Sequence, residues 1–361
     1  WKDNAGLELK LVCDSVEVAG KRVGLLDIAS DLDDSGKLRF SARNLLDGKS
    51  TLDIGGNYMM KGKTLDLLAS LDGMEAGYLS PVLSSIFSET SGLLSGKVRV
   101  SGKTDNLSIS GEGTRFDNVC LKVAYTNVPY FATGPFSIGN NGLIFEDIAL
   151  KDRYDGTGTL TGGILLNHLK DFRMDTRIDM NRMEAIDMGA GAGQPVYGNV
   201  FASGNVTIRG PFDAIRLDVD ARTDKRGTIH IPIDNASKEG NSNLLTFKKP
   251  YKEVYVDPYD VMMNRLVTES RKEQDFAVRL KIAANQNTEA YVEIDRAAGN
   301  VLNGSGRGNI DIMVRPSRDL FTINGDYTLN TGNFHFNAMD IAQRDFTISR
   351  GSSIRFNGDV M

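Results

Sequence analysis

Two cysteines in 361 residues, Cys13 and Cys120, are too few for a disulfide framework. Cys13 continues an apolar face with Leu7, Leu9 and Leu11, and Cys120 lies out of phase with its neighbours' stripe. The expectation is a core Cys13 that does not pair with Cys120. The three histidines, His168, His230 and His335, are far apart, and none has a Cys or His partner at zinc-ligand spacing. His230 and His335 fall inside strand patterns, so structural roles are expected for both. There is no GxSxG, HExxH or Walker loop. No run approaches the ~20 apolar residues that a membrane helix needs. Basic residues are not in excess either. A net charge of −5 argues against a nucleic-acid partner, which requires a positive patch. Lys248-Lys249 beside Pro250 reads as a loop. Proline is sparse at 9, whereas glycine is abundant at 38, a balance that suits many tight turns rather than disorder. The chain opens on Trp1 rather than Met, so its start is read as that of a fragment.

What is present is alternation. From 320 onward Phe321, Ile323, Tyr327 and Leu329 fall on one side, with Thr322, Asn324, Asp326 and Thr328 on the other. Period two is the mark of a half-buried strand. Turn residues at Asn324-Gly325, Asn330-Thr331-Gly332 and Arg350-Gly351 predict short antiparallel connections. Comparable segments recur every ten to twelve residues from Gly6 to Met74, from Gly96 to Val123, from Gly142 to Met180 and from Asn199 to Ile233. No strict period links them, only strand-turn-strand units stacked on their neighbours. Two helical interruptions are expected. The first carries Leu79, Val82, Leu83, Ile86 and Phe87, with Ser80 as cap and Pro81 in the first turn. The second carries Tyr259, Met262, Met263, Leu266 and Val267. One apolar stripe suits a plug or lid over the core. The glycines of MGAGAGQP, including Gly191 and Gly193, suggest a boundary between halves at 1–194 and 195–361.

Two motifs imitate ligand sites. Asp31 to Leu38 places oxygens at positions one, three and five and Gly36 at six, as a calcium loop does. Ala42 replaces the bidentate Glu, so a hairpin turn is expected. Gly304, Gly306 and Gly308 imitate a nucleotide loop, but Ile310 and Ile312 continue as a strand, with no helix N-terminus to hold a phosphate.

The ordered series GSGRGNIDI, FTINGDYTLNTGNFHF and RDFTISRGSSIRFNGD resembles the C-terminal domain of the TamB family, the translocation and assembly module proteins of the AsmA-like, bridge-like lipid transfer superfamily. The matching residues include Gly304, Gly306, Gly308, Gly325, Tyr327, Gly332, Phe334, Phe336, Phe346, Ile348, Gly351, Ser352, Ile354, Asn357, Gly358 and Asp359. YGNVFASGNVTIRGPFDAIRLDVDARTDKRGTIHIPI and NTEAYVEID upstream also fit, as does LLSGKVRVSGKTDNLSISGEG. The resemblance covers most of the chain, most strongly from 195. The family usually continues beyond the point where this chain stops, so the second region is read as truncated.

Periodicity by itself supports only a one-sided sheet. The resemblance implies an elongated all-β fold: one curved antiparallel sheet forming a U-shaped, taco-like apolar groove, with one or two short helices. With 25–30 strands at ~4.8 Å each it would be on the order of 120–140 Å long. Phe321, Ile323, Tyr327, Leu329, Phe334, Phe336, Phe346, Ile348, Ile354 and Phe356 would line the groove, with Val206, Ile208, Leu217 and Val219 upstream. In an open groove, Asp at Ile323 or Ile348 should be tolerated. The resemblance implies a conduit carrying phospholipid acyl chains across the periplasm of a diderm bacterium. The protein would be anchored in the inner membrane outside this segment and would act with an Omp85-class outer-membrane barrel. No cofactor, metal or catalysis is implied. The alternative is an assembly factor that templates outer-membrane strands along its sheet edge or apolar face. A β-helical surface enzyme or adhesin would need clustered carboxylates on a strand face, whereas Asp and Glu here scatter to turns.

Overall fold

The computed structural model describes residues 7–84, 86–167, 170–191, 196–224, 226–232, 275–296, 298–318, 320–338 and 342–359. The first strands are short: β1 (Leu7–Val18), β2 (Lys21–Leu32), β3 (Lys37–Leu45), β4 (Leu52–Met59) and β5 (Thr64–Glu75). Then come β6 (Phe87–Lys103), β7 (Asn106–Val123), β8 (Pro129–Gly139), β9 (Gly142–Lys151), β10 (Thr157–Asn167), β11 (Lys170–Met188) and β12 (Tyr197–Pro211), of which β6, β7, β11 and β12 are the long ones. The remainder are β13 (Arg216–Thr223), β14 (Gly227–Pro232), β15 (Ala277–Ala284), β16 (Thr288–Asp295), β17 (Asn300–Arg315), β18 (Leu320–Ala338), β19 (Ala342–Thr347) and β20 (Ser353–Asp359).

Strands β1 to β12 pair in chain order, each antiparallel to the last. Beyond β12 the sheet is built from half-strands laid end to end. β13 and β14 both pair with β12, β15 and β16 both with β17, and β19 and β20 both with β18. The 20 strands therefore make only 17 rungs, about 75–80 Å along the sheet at ~4.8 Å per rung. The longer estimate from the sequence fails because glycines inside strands imitate turns. Asn324-Gly325 and Asn330-Thr331-Gly332 both lie within the 19-residue β18, and of the three expected turns only Arg350-Gly351 is one. Gly325 has φ +132, and a Cβ there would stand 2.1 Å from the Asn309 carbonyl oxygen. Glycine is needed here for close approach between rungs. One step also departs from the antiparallel expectation: β13 pairs with β15, and β14 with β16, in parallel.

The sheet curls strongly. Tyr125, in the turn between β7 and β8, lies at least six rungs from Phe276, about 29 Å of sheet, yet their ring centroids are 6.1 Å apart. The Tyr130 hydroxyl on β8 likewise donates to the Glu184 carbonyl on β11 at 2.9 Å. Bulges with positive φ, among them Asn118, Asp147 and Arg182, supply local bends.

The first expected helical interruption is present but small: a 3-10 turn at Ala76–Leu79 and then the four-residue α1 (Ser80–Leu83); a further 3-10 turn, Pro316–Arg318, separates β17 from β18. Phe87 belongs to β6 instead, and Ser80 lies inside the helix. Leu79 stands at the N-cap of α1 without a side-chain bond, and the 3-10 turn before it is capped by Glu75, whose carboxylate accepts from the Gly77 N–H. Ala76, 1% exposed, packs with Met74, Leu94 and Val119, as a lid over the core would. The second helix, over 259–267, falls outside the described residues.

The calcium-like segment is the β2–β3 turn. Asp33 Oδ1 accepts from the backbone N–H groups of Ser35 and Lys37, closing an Asx turn. Gly304, Gly306 and Gly308 lie within β17. His230 and His335 are strand residues, paired with Glu293 and Asp345 at 3.0 and 2.6 Å. Both cysteines are free, Cys13 half-buried and Cys120 buried. The face that Cys13 continues is not core: Leu7, Leu9 and Leu11 are exposed on the first strand, where nothing described packs above them.

Candidate functional site

The register turns local alternation into long apolar rows. Ile148 pairs with Leu160, Leu160 with Ile178, Ile178 with Val206, and Val206 with Val219. The row continues through Leu280 and Ile312 to Ile323. A second row runs Ile208, Leu217, Val278, Val314, Phe321. A third runs Met180, Gly204, Ala221, Ile282, Ile310, Gly325, Phe356. Alternate side chains of one strand point to opposite faces, so all three rows share the concave face.

Most residues of these rows line an apolar trough, a hollow of ≈ 320 Å³ that is open at its mouth. Val206, Ile208, Leu217, Val219, Phe321, Tyr327, Leu329, Ile354 and Phe356 stand around it, with Phe321, Tyr327 and Leu329 themselves buried. Ile323 stands in the same row but is 1% exposed, packed with Ile312 and Phe321. It is core, so the tolerance to Asp expected of an open groove does not extend to it. Phe334, Phe336, Phe346 and Ile348 lie past the end of the hollow. A bulge at Asn330 swaps parity, because Gly306 pairs with Leu329 while Ser305 pairs with Thr331. The swap keeps Phe334 on the concave face with Leu302, with its ring 6.3 Å from that of Phe346. Phe336 and Phe346 are exposed there, and Ile348 is half-buried beside Gly332.

Much of the wall escaped sequence reading. Met180, Met183, Met188, Val278, Leu280 and Ile282 all line the trough. Alternation in β11 and β15 was the available signal. Bulges between Met180 and Met183 and between Glu184 and Ile186 break the period.

The opposite face is polar. Ion pairs cross it between neighbouring strands: Arg39–Asp31, Arg99–Asp66, Arg209–Asp175 and Arg355–Asp326. The Arg99 guanidinium, hydrogen-bonded to Asp66, holds that carboxyl below its ordinary range. Exposed pairs of this kind contribute about 0–1 kcal/mol each, so they mark which face meets water more than they stabilise the sheet. At the rim, Glu184 is fully buried; its oxygens accept from Arg153 at 2.8 Å and from Asn199 at 2.6 Å. Asp152 accepts from the N–H groups of Tyr154, Gly156 and Glu184, tying the β9–β10 turn to β11. Burial pushes the Tyr130 hydroxyl well above the usual phenol range, so at the trough wall it stays a neutral donor. Among the described residues no group of three or more His, Cys, Asp or Glu is placed to hold a metal ion. No described helix is long and apolar enough to cross a membrane.

A curled sheet, apolar inside and charged outside, with a hollow running across its strands, defines a class of elongated β-groove protein. The family model of the TamB C-terminal domain matches residues 146–361, and the chain belongs to that family. The match begins within β9, upstream of 195, where the resemblance is strongest in sequence, and takes in most of the hollow's wall; Val123, Tyr125, Thr126 and Tyr130 of that wall lie before it. Membership implies a part in the translocation and assembly module, in lipid or protein transport within the bacterial envelope, alongside an outer-membrane partner. No curated protein and no solved structure matches the chain.

Proposed function

We propose that the trough is a conduit for phospholipid acyl chains, and that it works without catalysis. One observation carries this reading: the unbroken apolar row from Ile148 to Ile323, beside a hollow that no side chain of the wall fills. Exposed apolar surface on this scale calls for a client. An acyl chain suits a non-directional wall, gaining ~0.8 kcal/mol for each CH₂ removed from water. The open mouth would leave head groups solvated. In this reading the segment stands in the periplasm, held to the inner membrane by another part of the protein, and hands lipid to an Omp85-class barrel. Mass spectrometry of lipid extracted from natively purified protein tests it. About one or more phospholipids per chain are expected, and lipid-free protein that also fails to take up phospholipid from vesicles refutes it.

A second reading, templating of nascent outer-membrane strands, draws on a different feature. β19 presents six exposed residues at the end of the sheet, and among the described strands it pairs only with β18. Such an edge can accept another strand. Binding of unfolded barrel segments that is lost when Thr347→Pro blocks the edge, in protein free of lipid, would favour it.

A further inference from the structure

The concave face is continuous through all 17 rungs, but the space above it is not. Toward the N-terminus Leu11, Ile28, Ala42, Ile54, Ala69 and Val98 form one row by register. Ile28, Ala42, Ile54 and Ala69 are half-buried and Leu11 is exposed. Toward the C-terminus Val206, Val219 and Leu280 are again half-buried. Between them the same face is packed more tightly. Phe116 on β7 and Phe136 on β8, both half-buried, and Phe145 on β9, 7% exposed, stack inside the curl, Phe116 lying 4.4 Å from Phe136 and 6.1 Å from Phe145 between ring centroids.

All three rings belong to the concave face. Phe136 pairs directly with Phe145, and Phe116 pairs with Gly134. Gly134, at φ +148, leaves the room that Ile148 fills: a Cβ there would stand 3.2 Å from Ile148 Cδ1. Ile148 is 0%, Met183 1% and Ala132 2% exposed, so this stretch is packed as a protein core. The hollow stops against it. Tyr130, Leu150, Ile178 and Met183 line the hollow, whereas the three Phe rings and Ile148 do not.

We infer that Phe116, Phe136 and Phe145 form a septum across the groove, dividing it into two apolar compartments, and that these rings must swing aside for an acyl chain to pass. The inference rests on the conduit reading and adds its control point. A chain moving along the concave face cannot bypass the rings, because the opposite face carries the ion-pair ladder. Aromatic rings make a good barrier of this kind, since they fill the cross-section when stacked and each turns about only two side-chain bonds.

The test is a labelling map. The protein is incubated with phosphatidylethanolamine–phosphatidylglycerol vesicles containing a phospholipid with a diazirine in its acyl chain. It is then irradiated, digested and mapped by mass spectrometry. Wild type should be labelled on β11 to β18, with labelling of 116–119 and 132–148 lower by about tenfold, because a core at native packing density admits no chain. Phe116→Ala with Phe136→Ala should carry label through 116–119 and 132–148 and on into β2 to β5. Phe116→Leu with Phe136→Leu, which keeps more of the packing, should shift the map in the same direction if the Ala pair does not fold. A wild-type map that runs unbroken through 116–119 and 132–148 overturns the septum and leaves the conduit standing. So does a folded double variant with an unchanged map. An unlabelled chain overturns the conduit, and the septum with it.

Discussion

Ile208→Asp should leave the chain folded and empty it of lipid, whereas Ile323→Asp should unfold the wall. The two residues sit in adjacent rows of one concave face, but Ile323 is 1% exposed and Ile208 is half-buried beside the hollow. At Ile323 the change forfeits about 1.5–3 kcal/mol of apolar burial. It also places a carboxyl among Ile312, Phe321 and Leu280 with no partner, a further several kcal/mol. The total, about 5 kcal/mol or more, rivals the whole 5–15 kcal/mol margin of an ordinary domain. At Ile208 about 1 kcal/mol of burial is lost, and the carboxylate reaches water through the open mouth. That cost should lower the melting temperature by roughly 2–4 °C. The same charge facing an acyl chain opposes it by about 2–4 kcal/mol, a loss of affinity of about 30-fold or more. Thermal melting and lipid per mole of protein, measured on wild type and both variants, decide the matter. If Ile208→Asp melts as early as Ile323→Asp, the trough wall is packed core and the hollow is illusory. If it is folded and fully loaded, this wall is not where lipid binds.

Arg153→Ala should destabilise the chain by about 3 kcal/mol in urea unfolding, since it strips the main partner from the fully buried Glu184; Arg153→Lys should recover only part of this, because Lys cannot make the two-pronged contact. Asp275 is held far below the usual carboxylate range, first by its hydrogen bond from Arg315 and then by that from Ser317. A depressed folded pKa contributes stability above the ordinary value of about 3.9 and loses it as pH falls toward the folded value, so Asp275→Asn should flatten the acid limb of a melting-temperature profile below about pH 4. An unchanged limb would show that Asp275 is not responsible. Gly325→Ala should cost about 1–3 kcal/mol in chemical denaturation, through its φ of +132 and the Asn309 carbonyl standing 2.1 Å from the new Cβ. Cys120 is buried, and burial raises its thiol pKa, so a thiol reagent should modify Cys13 first and a second equivalent only in denaturant.

Alternation was enough to establish an all-β chain, because a sheet with one wet face writes its period directly into the sequence. Nine of the residues it put on one face, among them Val206, Leu217 and Tyr327, gather around the hollow, since within one unbroken strand parity equals face. The glycine-rich series ending in GSSIRFNGD carried the family. Strand length was illegible: Gly325 and Gly332 look like turns but lie within β18, where the neighbouring rung approaches too closely for a side chain. Bulges hid more. Phe116 and Val119, three residues apart, share a face only because Asn118 bulges between them, so the aromatic septum left no periodic trace.

The sequence by itself determined which side chains each strand shows to water and which it hides, because that choice is local and repeats every two residues. Tertiary structure decided how those faces are used. Pairing across rungs, one parallel step and the accumulated bend of many bulges bring Tyr125 to within 6.1 Å of Phe276. The same curl buries Ile323, leaves Ile208 open and closes three Phe rings over β7 to β9. Curvature is a sum over many strands, and no single segment encodes it. Whether an apolar residue becomes core, wall or septum is therefore settled only when the sheet is assembled.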